Sequence, residues 1–328
     1  CSRCGLGASP AAPARRARRD GPGGGGDPGA GVGVRRAASH TARQDKALPA
    51  IAGISPPWRD RAGRFSWLRL GALALLSAPL AALILGWAAG TLGPDPVERA
   101  THETGRWAIR FLVLALAVTP LGRVLGWPAL FALRRMIGLG ALGWALLHLG
   151  IYVAEQNWVL WRAAAEIAQR FYLAIGFAAL CGLAVLGWTS TDGWMKRLGR
   201  RWKRLHRLVF LIAPLALLHA FIQSKSDASQ AVLLAGLLLW LLGWRALPAA
   251  WQGRPGALLA LGLGAMLGAA LIEFLWYALA TSLPAARIAQ ANLDLAFGPR
   301  PAVWVGILGL GLVALVLARR IAGRRGAA

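Results

Sequence analysis

Acidic residues are scarce in this chain of 328 residues, which has 13 Asp and Glu against 37 Lys and Arg. Only 15% of its residues are charged, whereas about a quarter are charged in a typical soluble domain. This deficit excludes an ordinary cytosolic globular protein. The chain also has only three cysteines, too few for the disulfide framework of a secreted scaffold, and it has no Gly-rich dinucleotide-binding fingerprint.

Apolar residues are abundant instead, at 57% of the total, and the formal net charge is +24. A nucleic-acid-binding domain would gather such a charge on a polar folded surface, but here the basic residues lie between long apolar runs. We therefore expect a polytopic helical membrane protein that contacts membrane lipid and binds no nucleic acid.

The apolar runs predict an all-α bundle, because each is near the ~20 residues that span a bilayer and backbone amides in hydrocarbon must be bonded internally. Residues 1–66 hold 12 Gly, 7 Pro and 12 Lys or Arg, which predicts a disordered basic tail. Eight predicted transmembrane helices follow it. The predicted helices cover residues 67–90, 106–125, 137–154, 171–189, 206–222, 230–247, 257–280 and 302–319.

Basic residues divide unevenly between the loops on the two sides of the predicted bundle. With the N-terminal tail inside, 29 of the 37 Lys and Arg fall on the inner side and 8 on the outer side, where seven of the acids also lie. The positive-inside rule therefore predicts that both termini are cytoplasmic.

Histidines are the main polar residues within the apolar runs. Polar side chains are energetically costly inside a membrane, so they are candidates for a functional role. His148 lies in the outer half of the third predicted helix, His206 at the inner start of the fifth, and His219 towards its outer end. Imidazole is an axial ligand of haem iron, and helical bundles build haem sites from facing side chains. Since no CxxCH run offers covalent attachment, these histidines predict a non-covalent b-type haem. The alternative is that each only hydrogen-bonds a neighbouring helix.

The depth of each histidine along its predicted helix indicates which two could bind the same haem. His148 lies 13 residues beyond Arg135, and His219 lies 15 residues beyond Arg204, so the two are at similar heights near the outer face. His206 would serve a second, inner haem. On an ideal helix 13 residues turn His219 roughly 140° away from His206, and Pro214 between them can kink or unwind the helix.

A second candidate cluster lies at the outer end of the second predicted helix. His102, Arg106 and Arg110 recur every four residues and so share one stripe. The two arginines could hold haem propionates through bidentate contacts, and His102 could be a further iron ligand. The alternative is local pairing with Glu98 and Glu103.

The inner segment at 189–207 is rich in Lys and Arg. Positive-inside topology and anionic lipid explain this charge, and the alternative is a landing place for an anionic electron donor or a flavin phosphate. In the seventh predicted helix, Glu273 lies one turn from Trp276 and Tyr277. We expect it to snorkel to the outer interface.

Several short stretches between residues 67 and 247 carry a family resemblance: HETGRWAIRFL at 102–112, TPL at 119–121, RRMIGL at 134–139, LHL at 147–149, TST at 189–191 and LGRRWKRLH at 198–206, with His219. They resemble the MsrQ (YedZ) family, the haem-binding membrane subunits of periplasmic methionine sulfoxide reductase systems, within the ferric-reductase-like transmembrane superfamily. The run from TST to LGxxWxxLH is the specific part of this resemblance.

The resemblance implies a transmembrane domain with a six-helix core at 67–250, to which a C-terminal extension of two helices at 251–328 is added. This core would bind one or two haem b groups through His148, His206 and His219, and the resemblance allows FMN as a further cofactor. It also implies an electron-transfer subunit rather than a catalytic one. Electrons would pass from the quinone pool or a cytosolic flavin reductase, across the bacterial inner membrane, to MsrP. That periplasmic molybdopterin-containing partner reduces methionine sulfoxide in oxidised proteins. Entry would lie near the 189–207 segment and exit near His148 and His219.

Two other functions fit the same residues. One is a haem-dependent ferric or quinone reductase of the same superfamily. The other is a cofactor-free membrane permease whose histidines only pair helices. The long tail and residues 251–328 depart from the family pattern, so the resemblance assigns no role to them.

Overall fold

A computed structural model describes residues 56–59, 63–224, 227–294, 296 and 298–325. Most of the predicted basic tail at 1–66 lies outside these described residues, so its predicted disorder stays a prediction. The described part of that segment ends at Ser66, whose side chain accepts a hydrogen bond from the backbone amide of Arg69 and caps the first helix.

Helices make up nearly all of the described chain, and no β-strand occurs within it. Eight stretches of the described residues are long and apolar enough to cross a membrane, which confirms the predicted multi-pass all-α fold. The helices are α1 (Trp67–Ala88), α2 (Pro96–Val124), α3 (Arg134–Glu155), α4 (Leu160–Gln169), α5 (Phe171–Trp188), α6 (Asp192–Leu198), α7 (Arg200–Leu205), α8 (Val209–Gln223), α9 (Ser229–Ala246), α10 (Pro255–Ala280), α11 (Ala285–Ala291) and α12 (Pro301–Arg325).

The second span begins earlier than hydropathy predicts, at residue 96 rather than 106. Asp95 caps α2 by accepting a hydrogen bond from the backbone amide of Glu98 at 3.0 Å, and Pro96 occupies its first turn. Hydropathy detects only the apolar part of a span, whereas the polar turns that carry His102 and Arg106 are helical as well.

The predicted fifth helix is broken rather than continuous. A 3₁₀ turn at His206–Leu208 separates α7 from α8, and Pro214 lies inside α8. His206 lies in this 3₁₀ turn, so its direction relative to His219 does not follow the rotation of one continuous α-helix.

Helices α2 and α9 form the centre of the bundle. α2 packs against α3, α8 and α9, and α5 packs against α3 and α8. These helices surround a cavity near the ends of the spans that are predicted to face outward. α1 lies at the edge, where its Leu76 carbonyl accepts a hydrogen bond from the Trp144 indole at 3.0 Å.

The C-terminal helices α10 and α12 pack against each other and against α9. Gly262 and Gly309 allow the close approach of α10 and α12, because a Cβ atom on Gly309 would lie 3.0 Å from the Gly262 Cα atom. The predicted boundary at residue 250 falls in the loop between α9 and α10. That the extension is a separate unit stays a prediction.

Candidate functional site

Two histidines face each other across a cavity of about 560 Å³. His148 comes from α3 and His219 from α8, and their ring centres lie 6.3 Å apart. They are the two histidines that sequence depth places at similar heights. The structure therefore brings together the predicted first pair.

Each of the two rings is fixed by a backbone carbonyl. His148 Nδ1 lies 2.8 Å from the Thr101 carbonyl oxygen, and His219 Nδ1 lies 2.8 Å from the Tyr172 carbonyl oxygen. A carbonyl oxygen only accepts, so each Nδ1 carries the proton and donates. The neutral tautomer with Nε2 as a free lone pair is the form that binds a metal.

Glycines give the histidines access to these carbonyls. Gly105 follows Thr101 by four residues and Gly176 follows Tyr172 by four, so each glycine lies on the same helix face as the carbonyl. A Cβ atom on Gly105 would lie 3.1 Å from the His148 ring, and one on Gly176 would lie 2.7 Å from His219 Nδ1. The same carbonyl-and-glycine arrangement thus occurs twice, once for each histidine.

The two imidazoles of His148 and His219 fit a metal ion whose other ligands come from a cofactor. Two imidazoles that bind one metal ion from opposite sides, each through a nitrogen at about 2.1 Å, place their ring centres roughly 6 Å apart, close to the observed 6.3 Å. No cluster of three or more His, Cys, Asp or Glu within the described residues could hold a bare metal ion. A haem supplies four nitrogens and needs only two axial ligands, so the site fits haem.

The cavity wall is apolar within the bundle and polar at the outer mouth. Its apolar residues include Ile109, Leu112, Leu183, Ile212 and Leu234. Polar side chains gather near the outer ends of the helices: Arg106, Tyr152, Gln223, Asp227 and Gln230. This division matches a flat apolar macrocycle with carboxylates at one edge.

The predicted arginine stripe divides between two environments. Arg106 lines the cavity and pairs with Glu103 at 2.8 Å. Arg110 lies outside the lining residues, because its guanidinium donates to Gln230 at 2.6 Å and stacks 4.4 Å above the Trp107 ring. Of the two arginines, only Arg106 borders the cavity where a propionate would lie.

His102 combines both of its predicted environments. Its Nε2 lies 3.5 Å from Glu98, as local pairing predicts, and the residue also lines the cavity. The structure places His102 at the rim of the cavity, and its role as a further iron ligand stays a prediction.

His206 lies away from the cavity that the other three described histidines line. Its ring stacks on Trp202 with centres 3.8 Å apart. Its Nδ1 lies 3.2 Å from the Trp202 carbonyl, and its Nε2 lies 3.3 Å from Ser190 Oγ. Both ring nitrogens are therefore engaged by oxygen atoms, and no facing imidazole from the described residues accompanies them.

The prediction that Glu273 snorkels to the interface is wrong. Its side chain is fully buried, receives a hydrogen bond from Asn292 Nδ2 at 2.8 Å and forms an ion pair with Arg300. Its partners come from the segment between α11 and α12, which sequence spacing does not place beside α10. A buried charge is tolerated because it is paired and hydrogen-bonded.

Asp227 is a rim residue that sequence reasoning missed. It precedes α9, lines the cavity and accepts a hydrogen bond from the Ser229 amide at 3.0 Å. Hydrogen bonds from the Ser229 side chain and amide lower the pKa of Asp227, and the charges of Arg106 and Arg300 add to this against the raising effect of burial. Nothing in its sequence context marks it, because Arg106 and Arg300 come from distant parts of the chain.

Comparisons with known proteins place this site within a known family. The sequence profile described as "Ferric reductase like transmembrane component" matches residues 104–217, which include His148 and His206. No solved structure is significantly similar to the chain.

The match with this chain covers most of the length of each relative. A "Protein-methionine-sulfoxide reductase heme-binding subunit MsrQ" from Xanthomonas oryzae pv. oryzae strain MAFF 311018 is 44% identical over 178 residues, which are 52% of this chain and 81% of the relative. The protein of the same description from Rhodospirillum rubrum is 39% identical over 193 residues, 57% of this chain and 93% of the relative.

Proposed function

The chain belongs to the MsrQ family of ferric-reductase-like membrane proteins, and we propose on that basis that it is a membrane b-type cytochrome subunit. It passes electrons across the bacterial inner membrane to a periplasmic methionine sulfoxide reductase, MsrP. The observation that carries the proposal is the pair of imidazoles 6.3 Å apart, each with Nδ1 committed to a carbonyl.

His148 and His219 would hold haem b, and Arg106 at the cavity rim would offer its charge to the haem carboxylates. When bound, the haem supplies a one-electron carrier in a dry part of the membrane. The protein's residues fix the imidazole tautomers, exclude water with the apolar wall and offer a charged rim at the outer mouth. Arg110 acts indirectly, because it holds Gln230 at that rim.

The proposed site of electron entry is argued from the distribution of Lys and Arg. With both termini cytoplasmic, the basic segment at 189–207 lies on the inner side, where a cytosolic flavin reductase or a quinol-derived electron would arrive. His206 lies in this segment and is our candidate ligand for a second, inner haem, for which its stacked and hydrogen-bonded ring would have to turn away from Ser190. FMN binding at the same segment is a further prediction.

The proposal is tested on purified protein expressed with adequate haem. A pyridine haemochromogen assay and a dithionite-reduced spectrum should give b-type haem at one or two equivalents per chain. MsrP with methionine sulfoxide should then reoxidise the reduced protein. A colourless protein would contradict the haem assignment and favour a cofactor-free permease. A b-type protein that MsrP fails to reoxidise would favour another reductase of the superfamily.

A further inference from the structure

Two adjacent arginines tie the C-terminal part of α12 to the loops beside it. Arg319 donates a hydrogen bond to the Leu125 carbonyl oxygen, directly after α2. Arg320 donates a hydrogen bond to the Gly253 carbonyl oxygen, in the loop between α9 and α10, at 2.8 Å. The end of the C-terminal extension therefore lies against both the end of α2 and the α9–α10 loop.

Two more arginines belong to these same two segments. Arg123 is in the last turn of α2, and its Nη1 atom lies 3.4 Å from Gln252 Oε1 in the α9–α10 loop. Arg254 ends that loop, and its Cζ atom lies 5.8 Å from the centre of the Trp251 ring. These contacts bring together four guanidinium groups, here called the arginine patch: Arg123, Arg254, Arg319 and Arg320.

The arginine patch has no acidic counterpart among the described residues. All four side chains are exposed, and none of the ion pairs within the described part of the chain includes any of them. A guanidinium has five N–H donors, and each of these four makes at most one hydrogen bond to the described protein. Four neighbouring positive charges repel each other unless an anion lies between them, so the patch is complementary to an anionic ligand.

Exposed apolar side chains border the arginine patch. Trp251 and Trp127 are 50% and 47% exposed, and tryptophan favours the level of the lipid headgroups. Leu317 and Ile321 precede and follow the two arginines of α12 and are exposed as well. The positive-inside rule predicts that this end of the bundle faces the cytoplasmic leaflet, which contains anionic lipid. Charged headgroup contacts therefore adjoin a surface that acyl chains can cover.

We propose that the arginine patch binds an anionic phospholipid with two phosphate groups, a lipid of the cardiolipin class. Arg123 and Arg319 bind one phosphate at the end of α2, and Arg254 and Arg320 bind the other beside the α9–α10 loop. Basic pockets between transmembrane helices on the cytoplasmic side are typical sites for such headgroups. Arginine suits phosphate because its planar N–H fork contacts two oxygen atoms at once. The bound lipid joins the C-terminal extension to α2, at a site separate from the histidine cavity.

A cardiolipin titration of delipidated full-length protein in detergent tests the proposal. Each basic residue near an anionic headgroup strengthens binding about fivefold, so a variant with all four arginines of the patch replaced by Gln should bind cardiolipin roughly several hundredfold more weakly. The control replaces four exposed basic residues of α6 and α7 by Gln, which is the same change in charge on the same predicted side: Lys196, Arg197, Arg200 and Arg201. Its Kd should stay close to the parental value. Equal weakening in both variants would overturn the proposal, because binding would then follow net charge alone.

Two further probes identify the ligand. Phosphatidylglycerol has one phosphate and leaves two of the four arginines without a partner, so it should bind roughly 25-fold more weakly than cardiolipin. Equal affinities for the two lipids would contradict a site for two phosphates. Inorganic pyrophosphate at the same concentration should leave cardiolipin bound. Displacement of cardiolipin by pyrophosphate would overturn the lipid assignment in favour of a soluble phosphate.

Arg254→Gln covers the case in which the fourfold variant does not fold. The Arg254 side chain stacks on Trp251 and makes no hydrogen bond within the described residues, so its replacement leaves the contacts of the other three arginines in place. It should weaken cardiolipin binding about fivefold, and Arg200→Gln, the matched single change in α7, should not. Parental affinity in Arg254→Gln would overturn the proposal. These measurements are independent of haem, so they are also independent of the proposed function.

Discussion

Two backbone carbonyls determine the chemistry of the facing histidines. The Thr101 and Tyr172 carbonyls each accept a hydrogen bond from an Nδ1–H group, which leaves the lone pair of each Nε2 atom available to a metal. In a membrane interior such a bond is hard to replace, because water does not compete for the carbonyl. The tautomers of the two proposed ligands are therefore fixed by the protein itself.

Gly176→Ala tests this arrangement at the residue scale. The new Cβ atom would lie 2.7 Å from His219 Nδ1, closer than carbon and nitrogen can approach, so the ring must leave the Tyr172 carbonyl. We expect most of the haem to be lost, as measured by haem-to-protein ratio. Gly105→Ala, with a 3.1 Å contact to His148, should lose less.

Gly150→Ala is the control, because a Cβ atom at this helical position meets open space and alanine favours helix by about 1 kcal/mol. It should retain haem fully. Full haem content in Gly176→Ala would show that the carbonyl contact is dispensable.

The helices illustrate which elements sequence can predict. Apolar runs locate all eight spans of the described residues. The thickness of the hydrocarbon layer fixes the length of a span, and backbone polar groups in that layer must be hydrogen-bonded within the helix. The apolar runs miss the polar first turns of α2 and the break at His206–Leu208, where hydropathy carries no signal. Depth along the helices selects His148 and His219, whose ring centres lie 6.3 Å apart, and their joint ligation of haem stays a prediction. Asp227 and Gln230 become rim residues only through tertiary packing, which neither periodicity nor spacing encodes.

Glu273→Gln tests the element scale, where α10 is joined to the start of α12. Removing one partner of a buried ion pair leaves the other uncompensated and destabilises by roughly 3–5 kcal/mol. Thermal unfolding of the purified protein should therefore shift to clearly lower temperature. Glu273→Gln/Arg300→Gln should recover much of the loss, because no buried charge then remains unpaired.

Glu98→Gln is the comparison for this pair, since Glu98 is an exposed acid whose contact with His102 is long. Its effect should stay within about 0.5 kcal/mol. If Glu273→Gln were as mild as Glu98→Gln, the buried pair would not hold the extension in place.

At the scale of the whole molecule, the uneven charge is a topology signal. Of the 37 Lys and Arg, 29 fall on one side of the predicted bundle, and the positive-inside rule predicts that this side is cytoplasmic. In that predicted orientation, the cavity of His148 and His219 would face the periplasm. Electrons would then enter at the basic inner segment and leave at the outer rim.

Cysteine accessibility tests this orientation. In a background without native cysteines, Leu293→Cys in the segment before α12, where the side chain is 88% exposed, should react with a membrane-impermeant maleimide in intact spheroplasts. Lys203→Cys in α7 should react only after permeabilisation. The reverse pattern would invert the orientation and with it the direction of electron flow.

Haem spectra of single histidine variants test the central claim most directly. His148→Ala and His219→Ala should each remove the same b-type haem signal, because one cofactor needs both imidazoles, while His102→Ala, the same change at the cavity rim, should retain it. Persistence of that signal in either His148→Ala or His219→Ala would contradict ligation by the facing pair.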